Sequence, residues 1–309
     1  MSVAGRLTEV FETAKQIPFD DSSRFILFSD CHRGDNSWAD DFARKQSLYF
    51  YALEHYFKEG FTYIELGDGD ELWENKDFQE IRQAHSHVFW LLRKFFLADR
   101  LLLLWGNHDL ERKDSSVVKK TLSQYFDERQ GRDLPLIEGV KLHEGLILHY
   151  SPSGDGIFLV HDHQGDLIND RYWKVGRFFV RHLWRHLQLL GVQDPTSPAK
   201  NYKKRVKVEE EITNWVKQRG QMLIAGHTHR PRFPQPGSPP FFNDGSCVHP
   251  RCITGIEIRE GTIALIKWWI QPNDAGQLQV EPEILDGPQP LRSYFPTRPD
   301  GGEPGAEAC

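Results

Sequence analysis

LLLLWGNHD, residues 101–109, shapes the architecture of this chain more than any other segment. Its first four residues form a continuous apolar run of strand length, and Gly106 lets the backbone turn tightly after it. Asn107 and His108 would then emerge at the carboxyl end of a buried strand, where open α/β sheets bind ligands. Asn is a neutral oxygen ligand for a hard metal ion, and His is an acid, a base or a ligand near neutral pH. Taken alone, the same residues are also typical of a turn with a surface His.

Bulk properties exclude several classes of protein. The 309 residues suffice for one large domain or two small ones. A net charge of −6 gives no overall attraction to nucleic acid or to anionic membranes. No apolar run approaches the roughly 18 residues of a transmembrane helix, and the first residues lack the pattern of a signal peptide. The 4 cysteines are scattered without metal-ligand spacing, which favours free thiols and predicts a cytoplasmic protein.

Strands, polar loops and helices alternate through the first third of the chain. An amphipathic helix at Gly5–Gln16 is predicted to cap the sheet. The predicted buried strands are Arg24–Ser29, Phe61–Leu66 and Leu101–Trp105, and the predicted helices between them are Ala39–Glu59 and Phe78–Phe96. Such alternation favours parallel strands joined by crossover helices.

The pattern changes beyond Leu134 to short strands with tight turns, which favours an antiparallel section. The predicted elements are strands at Val140–His143, Leu146–Tyr150 and Gly156–His161, a helix at Glu209–Arg219, a strand at Met222–Ala225, and strands at Phe241–Asn243, Cys252–Arg259 and Thr262–Trp269 that close a second sheet. From Gly287 on, Pro and Gly dominate the sequence. We therefore predict one domain over residues 1–286, with an insertion at about 165–207, and a disordered tail over 287–309.

Polar residues stand at the ends of five predicted strands. They are Asp30 with His32, Gly67 with Asp68, Gly106 to Asp109, His161, and His227 with His229. Residues two apart at a strand end point the same way, so each pair can bind one ion or two adjoining ions. Carboxylate, imidazole and amide donors suit Mn²⁺, Fe or Zn²⁺ better than Ca²⁺. A cap, a turn or a buried His explains each cluster singly, but five clusters at strand ends together predict a metal site.

These five blocks, D-x-H, G-D, G-N-H-D, H and G-H-x-H, resemble the signature of the calcineurin-like metallophosphoesterase superfamily in order and spacing. The resemblance spans about Phe25 to Leu265. It implies an α/β fold, a four-layer αββα sandwich of two mixed sheets with helices outside and a helical cap insertion. It also implies a ligand set, with one metal ion on Asp30, His32 and His229, a second on Asn107, His161 and His227, and Asp68 bridging both.

The same resemblance implies a mechanism. In the family, a hydroxide that bridges the two ions attacks phosphorus in line with the leaving group. The residue that matches His108 protonates the leaving oxygen or stabilises the transition state, and the residue that matches Asp109 orients its imidazole. His108 and Asp109 are therefore the predicted catalytic residues.

Two histidines compete for the place of the lone His in the second ligand set. Many family members have Gly directly after this His, whereas this chain continues with Asp162 and His163. Either His161 is the ligand and Asp162 supports it, or His163 takes the role. We favour His161 because it directly ends the predicted strand.

The insertion carries ten basic residues against three acidic ones. One face of its predicted helix is apolar and aromatic, and another is basic. A surface helix docked on the core would explain this pattern. A cap over the metals that selects an anionic, partly apolar substrate would also explain it, and such a cap could contact a membrane surface.

The cap and the run G-H-T-H-R-P at residues 226–231 are similar to those of the UDP-2,3-diacylglucosamine hydrolases of lipid A synthesis. That branch has Arg where this chain has His108. A His at this position resembles the wider phosphatase and phosphodiesterase group.

We therefore predict a phosphoric ester hydrolase with two divalent transition-metal ions, Mn²⁺ first among them. The predicted substrate is an anionic small or lipid-linked phosphomonoester, phosphodiester or pyrophosphate. Alternatives are a serine/threonine protein phosphatase and a nuclease that uses the basic insertion, although the overall charge disfavours nucleic acid. A metal-free scaffold is a third alternative. It predicts gaps among the ligand positions, and the sequence has none. The oligomeric state stays open.

Overall fold

The architecture follows from residues 2–127, 129–165 and 202–296, which a computed structural model of the chain describes. Strands in these residues are β1 Lys15–Phe19, β2 Phe25–Phe28, β3 Thr62–Leu66, β4 Leu101–Leu104, β5 Gln124–Asp127, β6 Arg132–Pro135, β7 Leu142–His143, β8 Gly145–Tyr150, β9 Asp155–Val160, β10 Met222–Ala225, β11 Phe241–Asn243, β12 Cys252–Arg259, β13 Thr262–Pro272 and β14 Leu278–Pro290. The α-helices are α1 Val3–Thr13, α2 Gln46–Lys58, α3 Phe78–Ala84, α4 Ser86–Leu97, α5 Ser115–Leu122 and α6 Tyr202–Arg219.

Twelve of these strands form two mixed sheets, and β5 and β6 form a separate hairpin. The seven-stranded sheet has the order β14-β13-β12-β2-β3-β4-β7, with β2, β3, β4 and β7 parallel and the other three antiparallel. The five-stranded sheet has the order β1-β8-β9-β10-β11, in which only the β8–β9 pair is antiparallel. The predicted mixed sheets are therefore present.

Three buried clusters show that the sheets and helices are stacked in four layers. Side chains from both sheets, such as Ile64 and Ile224, share the central cluster. Helices α2 and α4 cover the outer face of the seven-stranded sheet, and α1 and α6 cover that of the five-stranded sheet. Alternate residues of a strand point to opposite faces, so Ile26 packs under the helices while Leu27 packs between the sheets. The predicted αββα sandwich is confirmed.

Several boundaries differ from the prediction for local reasons. The helix predicted over 78–96 is two helices that break at His85, whose Nε2 lies 2.8 Å from Asp40 Oδ2 in the interior. The helix predicted from Ala39 begins only at Gln46, because residues 39–45 form turns held by the Asp40 carboxylate.

Strand pairing also differs from the prediction at three places. The first strand, β1, was not predicted, because its first two residues fall within the helix predicted at Gly5–Gln16. It follows α1 and pairs in parallel with β8. The short strand β7 pairs in parallel with β4 rather than with its antiparallel successor. The last three predicted strands were expected in one sheet, but they divide between the two. Strand β11 joins the five-stranded sheet, whereas β12 and β13 extend the sheet that contains β2.

The prediction of a disordered tail from Gly287 is wrong for its first residues. Strand β14 continues to Pro290 along β13, and a 3-10 turn follows at Leu291–Tyr294. Leu291 and Tyr294 are buried between the sheets, which anchors this end of the chain. The remainder of the predicted tail, residues 297–309, lies outside the described residues.

The predicted cap also lies outside the described part of the chain, except for its two ends. Residues 166–201 are not described, and the last residues of the insertion belong to α6. Within the described residues, no helix is both long enough and apolar enough to cross a membrane.

Candidate metal centre

The five predicted polar clusters meet where the carboxyl ends of strands from both sheets come together. Asp30 and His32 follow β2, Asp68 follows β3 and Asn107 follows β4, while His161 follows β9 and His227 and His229 follow β10. Backbone hydrogen bonds hold the first two loops side by side, since His32 N donates to Asp68 O at 2.9 Å. Gly106 permits the close approach of the third loop, because a Cβ there would lie 2.1 Å from Asp68 Oδ1.

The backbone is strained at five of the seven predicted ligands. Asp30, His32, Asp68, His227 and His229 all have φ between 48° and 65°, the left-handed region that non-glycine residues seldom adopt. Such conformations persist only where the surrounding structure imposes them, and they cluster at functional sites. The fold therefore accepts a cost to aim these side chains inward.

One group of potential ligands consists of Asp30, His32 and His229, whose nearest ligand atoms all lie within 4.8 Å of one another. His229 Nε2 is 3.0 Å from Asp30 Oδ1 and 3.3 Å from His32 Nε2. Two ring nitrogens and a carboxylate oxygen that converge in this way form a suitable donor set for a transition metal.

A second group consists of Asp68, His161 and His227, again within 4.8 Å. His161 Nε2 is 3.1 Å from Asp68 Oδ2, and the rings of His161 and His227 are 5.2 Å apart. Asn107 is also buried, and its Oδ1 has no hydrogen-bond partner among the described residues. A buried amide oxygen without a partner is costly, and a metal ion bound here would satisfy it.

Each aspartate presents one oxygen to both groups. Asp68 Oδ1 accepts a hydrogen bond from the backbone N of His108 at 2.8 Å, whereas Oδ2 faces His161 and lies 3.9 Å from His32 Nε2. Asp30 Oδ2 accepts from the backbone N of His227 at 2.9 Å, and Oδ1 faces His229. Asp68 Oδ2 thus lies within 4 Å of a ring nitrogen from each group, and its role as bridging ligand stays a prediction.

The far nitrogens of two histidines are engaged outside the groups. His161 Nδ1 donates to the carbonyl oxygen of Leu66 at 2.8 Å, and His32 Nδ1 lies 3.0 Å from Glu71 Oε2. Contacts of this type fix the tautomer and leave Nε2 free to bind a metal.

The structure contradicts the prediction that Asp109 orients the His108 ring. Asp109 instead accepts hydrogen bonds from the backbone N atoms of Gly106 at 2.6 Å and Gly69 at 3.2 Å, so it braces the loops. The carboxylate beside His108 is Glu71, whose Oε2 lies 2.6 Å from His108 Nδ1 in an ion-pair contact with angles outside the usual hydrogen-bond range.

Sequence reasoning missed Glu71, Trp73 and Asp244. Glu71 lies three residues after Asp68, and this second carboxylate in the same loop was the available indication. Trp73 stacks on His108 with ring centroids 4.6 Å apart and planes 21° apart. Asp244 Oδ1, after β11, lies 2.7 Å from Ser29 Oγ, which also lies within hydrogen-bond distance of Asp30 Oδ2. No motif in the sequence points to these contacts.

Electrostatics follow from burial of opposite charges. Burial alone would raise the pKa of Asp30, but His229 and His161 hold it well below its usual range. Burial would lower the pKa of His161, yet Asp68 and Asp30 raise it to about 10. Burial likewise opposes ionisation of Glu71, whose pKa His108 and His32 hold at about 2. The carboxylates are thus ionised at neutral pH, and a metal ion would displace protons from the histidines.

His161 and His163, the two candidates for one ligand position, are placed differently. His161 belongs to the second group, whereas His163 belongs to none of the groups of ligand atoms among the described residues. The geometry favours His161 as the ligand.

Comparison with known proteins does not identify the function of this chain. No protein-family model matches the chain, and no curated protein matches its sequence. Among solved structures, Vps29 from Chaetomium thermophilum is similar over 86% of this chain and 96% of its own, with a TM-score of 0.37 and 10% sequence identity. A likeness at this level supports no argument about activity.

Proposed function

We propose that this protein is a phosphoric ester hydrolase that uses two divalent transition-metal ions, with Mn²⁺ as the first choice. The observation that carries the proposal is the pair of adjoining donor groups, Asp30, His32, His229 and Asp68, His161, His227, which meet at Asp68 Oδ2. We assign Asn107 to the second group as a further ligand, because its buried Oδ1 has no hydrogen-bond partner among the described residues. The order of these residues along the chain resembles the calcineurin-like metallophosphoesterase superfamily.

The donor set fits such ions. Oxygen and imidazole donors without thiolate are typical ligands of Mn²⁺, Fe and Zn²⁺. Two ions so held would supply a nucleophile at neutral pH and would neutralise charge on phosphoryl oxygens.

His108 is the proposed proton donor to the leaving group. Its side chain is 24% exposed, so a substrate can reach it, and Nδ1 faces Glu71. Nε2 therefore remains for the leaving oxygen. Glu71 and Asp68 raise the pKa of His108 against the effect of burial, which favours the protonated form of the ring. Trp73 covers one face of the ring and limits its rotation.

The proposed substrate is an anionic phosphomonoester, phosphodiester or pyrophosphate, small or linked to a lipid. A panel of these compounds, together with a phosphopeptide and an oligonucleotide, assayed with added Mn²⁺, would separate the substrate classes.

The first test is metal content. Elemental analysis of the purified protein should find close to two transition-metal ions per chain, and Asp68→Ala should lose both metal and activity because it removes the shared oxygen. Asp274→Ala, on the turn between β13 and β14, is the matched control and should retain both. A metal-free, fully active protein would overturn the proposal.

The second test concerns the acid. His108→Ala should keep its metals and lose about 10²–10⁴-fold in kcat, most strongly on substrates with poor leaving groups. Glu71→Gln should reproduce part of this loss, whereas Asp109→Asn should change the leaving-group dependence little, since Asp109 contacts the loop backbone. Equal losses on good and poor leaving groups would contradict an acid role.

A further inference from the structure

His163 lies beside the candidate metal centre without belonging to it. Its side chain is fully buried, and neither ring nitrogen has a hydrogen-bond partner among the described residues. Its ring centroid is 5.7 Å from that of His161, with the planes 42° apart. Buried imidazole nitrogens in folded proteins are normally paired, so this residue requires an explanation.

A strained backbone brings the His163 ring beside that of His161. The intervening residue, Asp162, has φ of 83°, a conformation that favours glycine. This turn follows β9 and leads into the 3-10 turn at His163–Gly165, so that two histidine rings stand close together at one strand end. An Asp in this conformation, also fully buried, would not be needed if His163 only filled space.

We propose that His163 binds the substrate, with a ring N–H that donates a hydrogen bond to a phosphoryl oxygen held at the metal centre. This inference rests on the proposed phosphoesterase function and deepens it. A phosphoryl group presents anionic oxygens, and an imidazole N–H is a suitable donor for them.

The surroundings of the ring support this role over two others. The ring lies beside two proposed metal ligands, since its centroid is 5.7 Å from that of His161, which is 5.2 Å from that of His227. The ring therefore adjoins the place where a phosphoryl group would lie. A role as metal ligand is disfavoured because its nitrogens join none of the ligand groups, and a packing role is disfavoured because it leaves both nitrogens unpaired.

The experiment is calorimetric titration of Mn²⁺-loaded protein with inorganic phosphate. We expect His163→Leu to weaken phosphate binding by about 10- to 100-fold while it retains the metal content of the unaltered protein. His163→Gln, which keeps a donor, should recover much of the affinity. His149→Leu, a partly exposed histidine on β8, is the matched control and should bind phosphate normally.

Two results would overturn the inference. Loss of metal from His163→Gln would make His163 a ligand, and unchanged phosphate affinity in His163→Leu would make it a packing residue. Failure of the proposed function is distinguishable from either result, because it appears in the unaltered protein. That protein would then bind metal and phosphate, with the His163 dependence intact, and yet hydrolyse no compound in the substrate panel.

Discussion

The two sheets contribute to the candidate site in different ways. The loops of the seven-stranded sheet are joined by buried ion pairs. Arg33 contacts Asp70 at 2.6 Å and Glu65 at 2.7 Å, and Arg112 pairs with Asp70 from the third loop. All four charged side chains are almost fully buried. Asp70 thus connects the loop after β2 to the loop after β4.

The loops of the five-stranded sheet have no comparable framework among the described residues. Here Asp162 and His163 are fully buried, and their polar side-chain atoms have no hydrogen-bond partner in the part of the chain that the structure describes. Burial raises the pKa of Asp162 well above its usual range. A positive φ does not distinguish the two sides, since it occurs at Asp162, His227 and His229 here and at Asp30, His32 and Asp68 on the seven-stranded side.

The loops of the two sheets are therefore held in place by different means. The chain's own charges preorganise the seven-stranded side, because a buried arginine between two carboxylates fixes the positions of both. Among the described residues, Asp162 and His163 on the five-stranded side leave polar atoms unpaired, as does Asn107 on the other side. Such atoms are costly unless a bound ion or ligand pairs with them. The seven-stranded side therefore differs by its buried ion pairs.

The largest expected effect comes from breaking the framework. Asp70→Asn leaves Arg33 and Arg112 buried with less compensation, so the free energy of unfolding should fall by about 3–5 kcal/mol in urea titrations. Glu283→Gln, which removes the half-exposed partner of Lys267, is the control and should cost about 1 kcal/mol or less. Equal losses of stability in the two variants would contradict a stabilising role of the buried ion pairs around Asp70.

A smaller effect should appear in the pH dependence of the metal-free protein. The pKa of His161 is about 10 in the folded chain against an ordinary value of 6.5. Its stabilisation is therefore complete below pH 6.5 and is lost as the pH rises toward 10, by roughly 1–4 kcal/mol. Glu71, with a pKa of about 2 against 4.5, stabilises above pH 4.5 and loses this effect toward pH 2.

His161 and Glu71 together stabilise the folded protein most between pH 4.5 and 6.5. Thermal unfolding at a series of pH values, after chelation, would measure it. His161→Asn is the control and should show a weaker loss above pH 6.5. Stability of the unaltered protein that does not fall between pH 6.5 and 10 would contradict the ionised cluster.

The smallest effect is a gain on the five-stranded side. Asp162→Gly removes a buried, unpaired carboxyl group and relieves the positive φ, so unfolding should cost about 1–3 kcal/mol more. Asp99→Gly is the control, since Asp99 has φ of 55° but is exposed, and its gain should not exceed about 1 kcal/mol. A loss of stability in Asp162→Gly would show that Asp162 is paired in solution.

Local patterns predicted most of the elements that position the site. Apolar runs of strand length end in Gly or polar residues at Leu101–Leu104 and Met222–Ala225, and both strands form. Errors arose where local pattern and tertiary contact disagree. The segment 78–96 has a continuous helical period, but the buried contact of His85 with Asp40 coincides with a break there. The Pro-rich segment after Gly287 looks unstructured, yet Leu291 and Tyr294 find an apolar site between the sheets.

Residue order alone predicts the candidate donors, because a polar residue that follows a buried strand lies at the edge of the sheet whichever position that strand takes in it. It therefore indicates Asp30, Asp68 and Asn107 as a candidate site. Only the tertiary structure decides which partner each side chain meets. Glu71 rather than Asp109 faces His108, although Asp109 is its neighbour in sequence. The reason is physical, because the Asp109 carboxylate accepts hydrogen bonds from the backbone N–H groups of Gly106 and Gly69. The ring of His108 is left to a carboxylate 37 residues away in the chain.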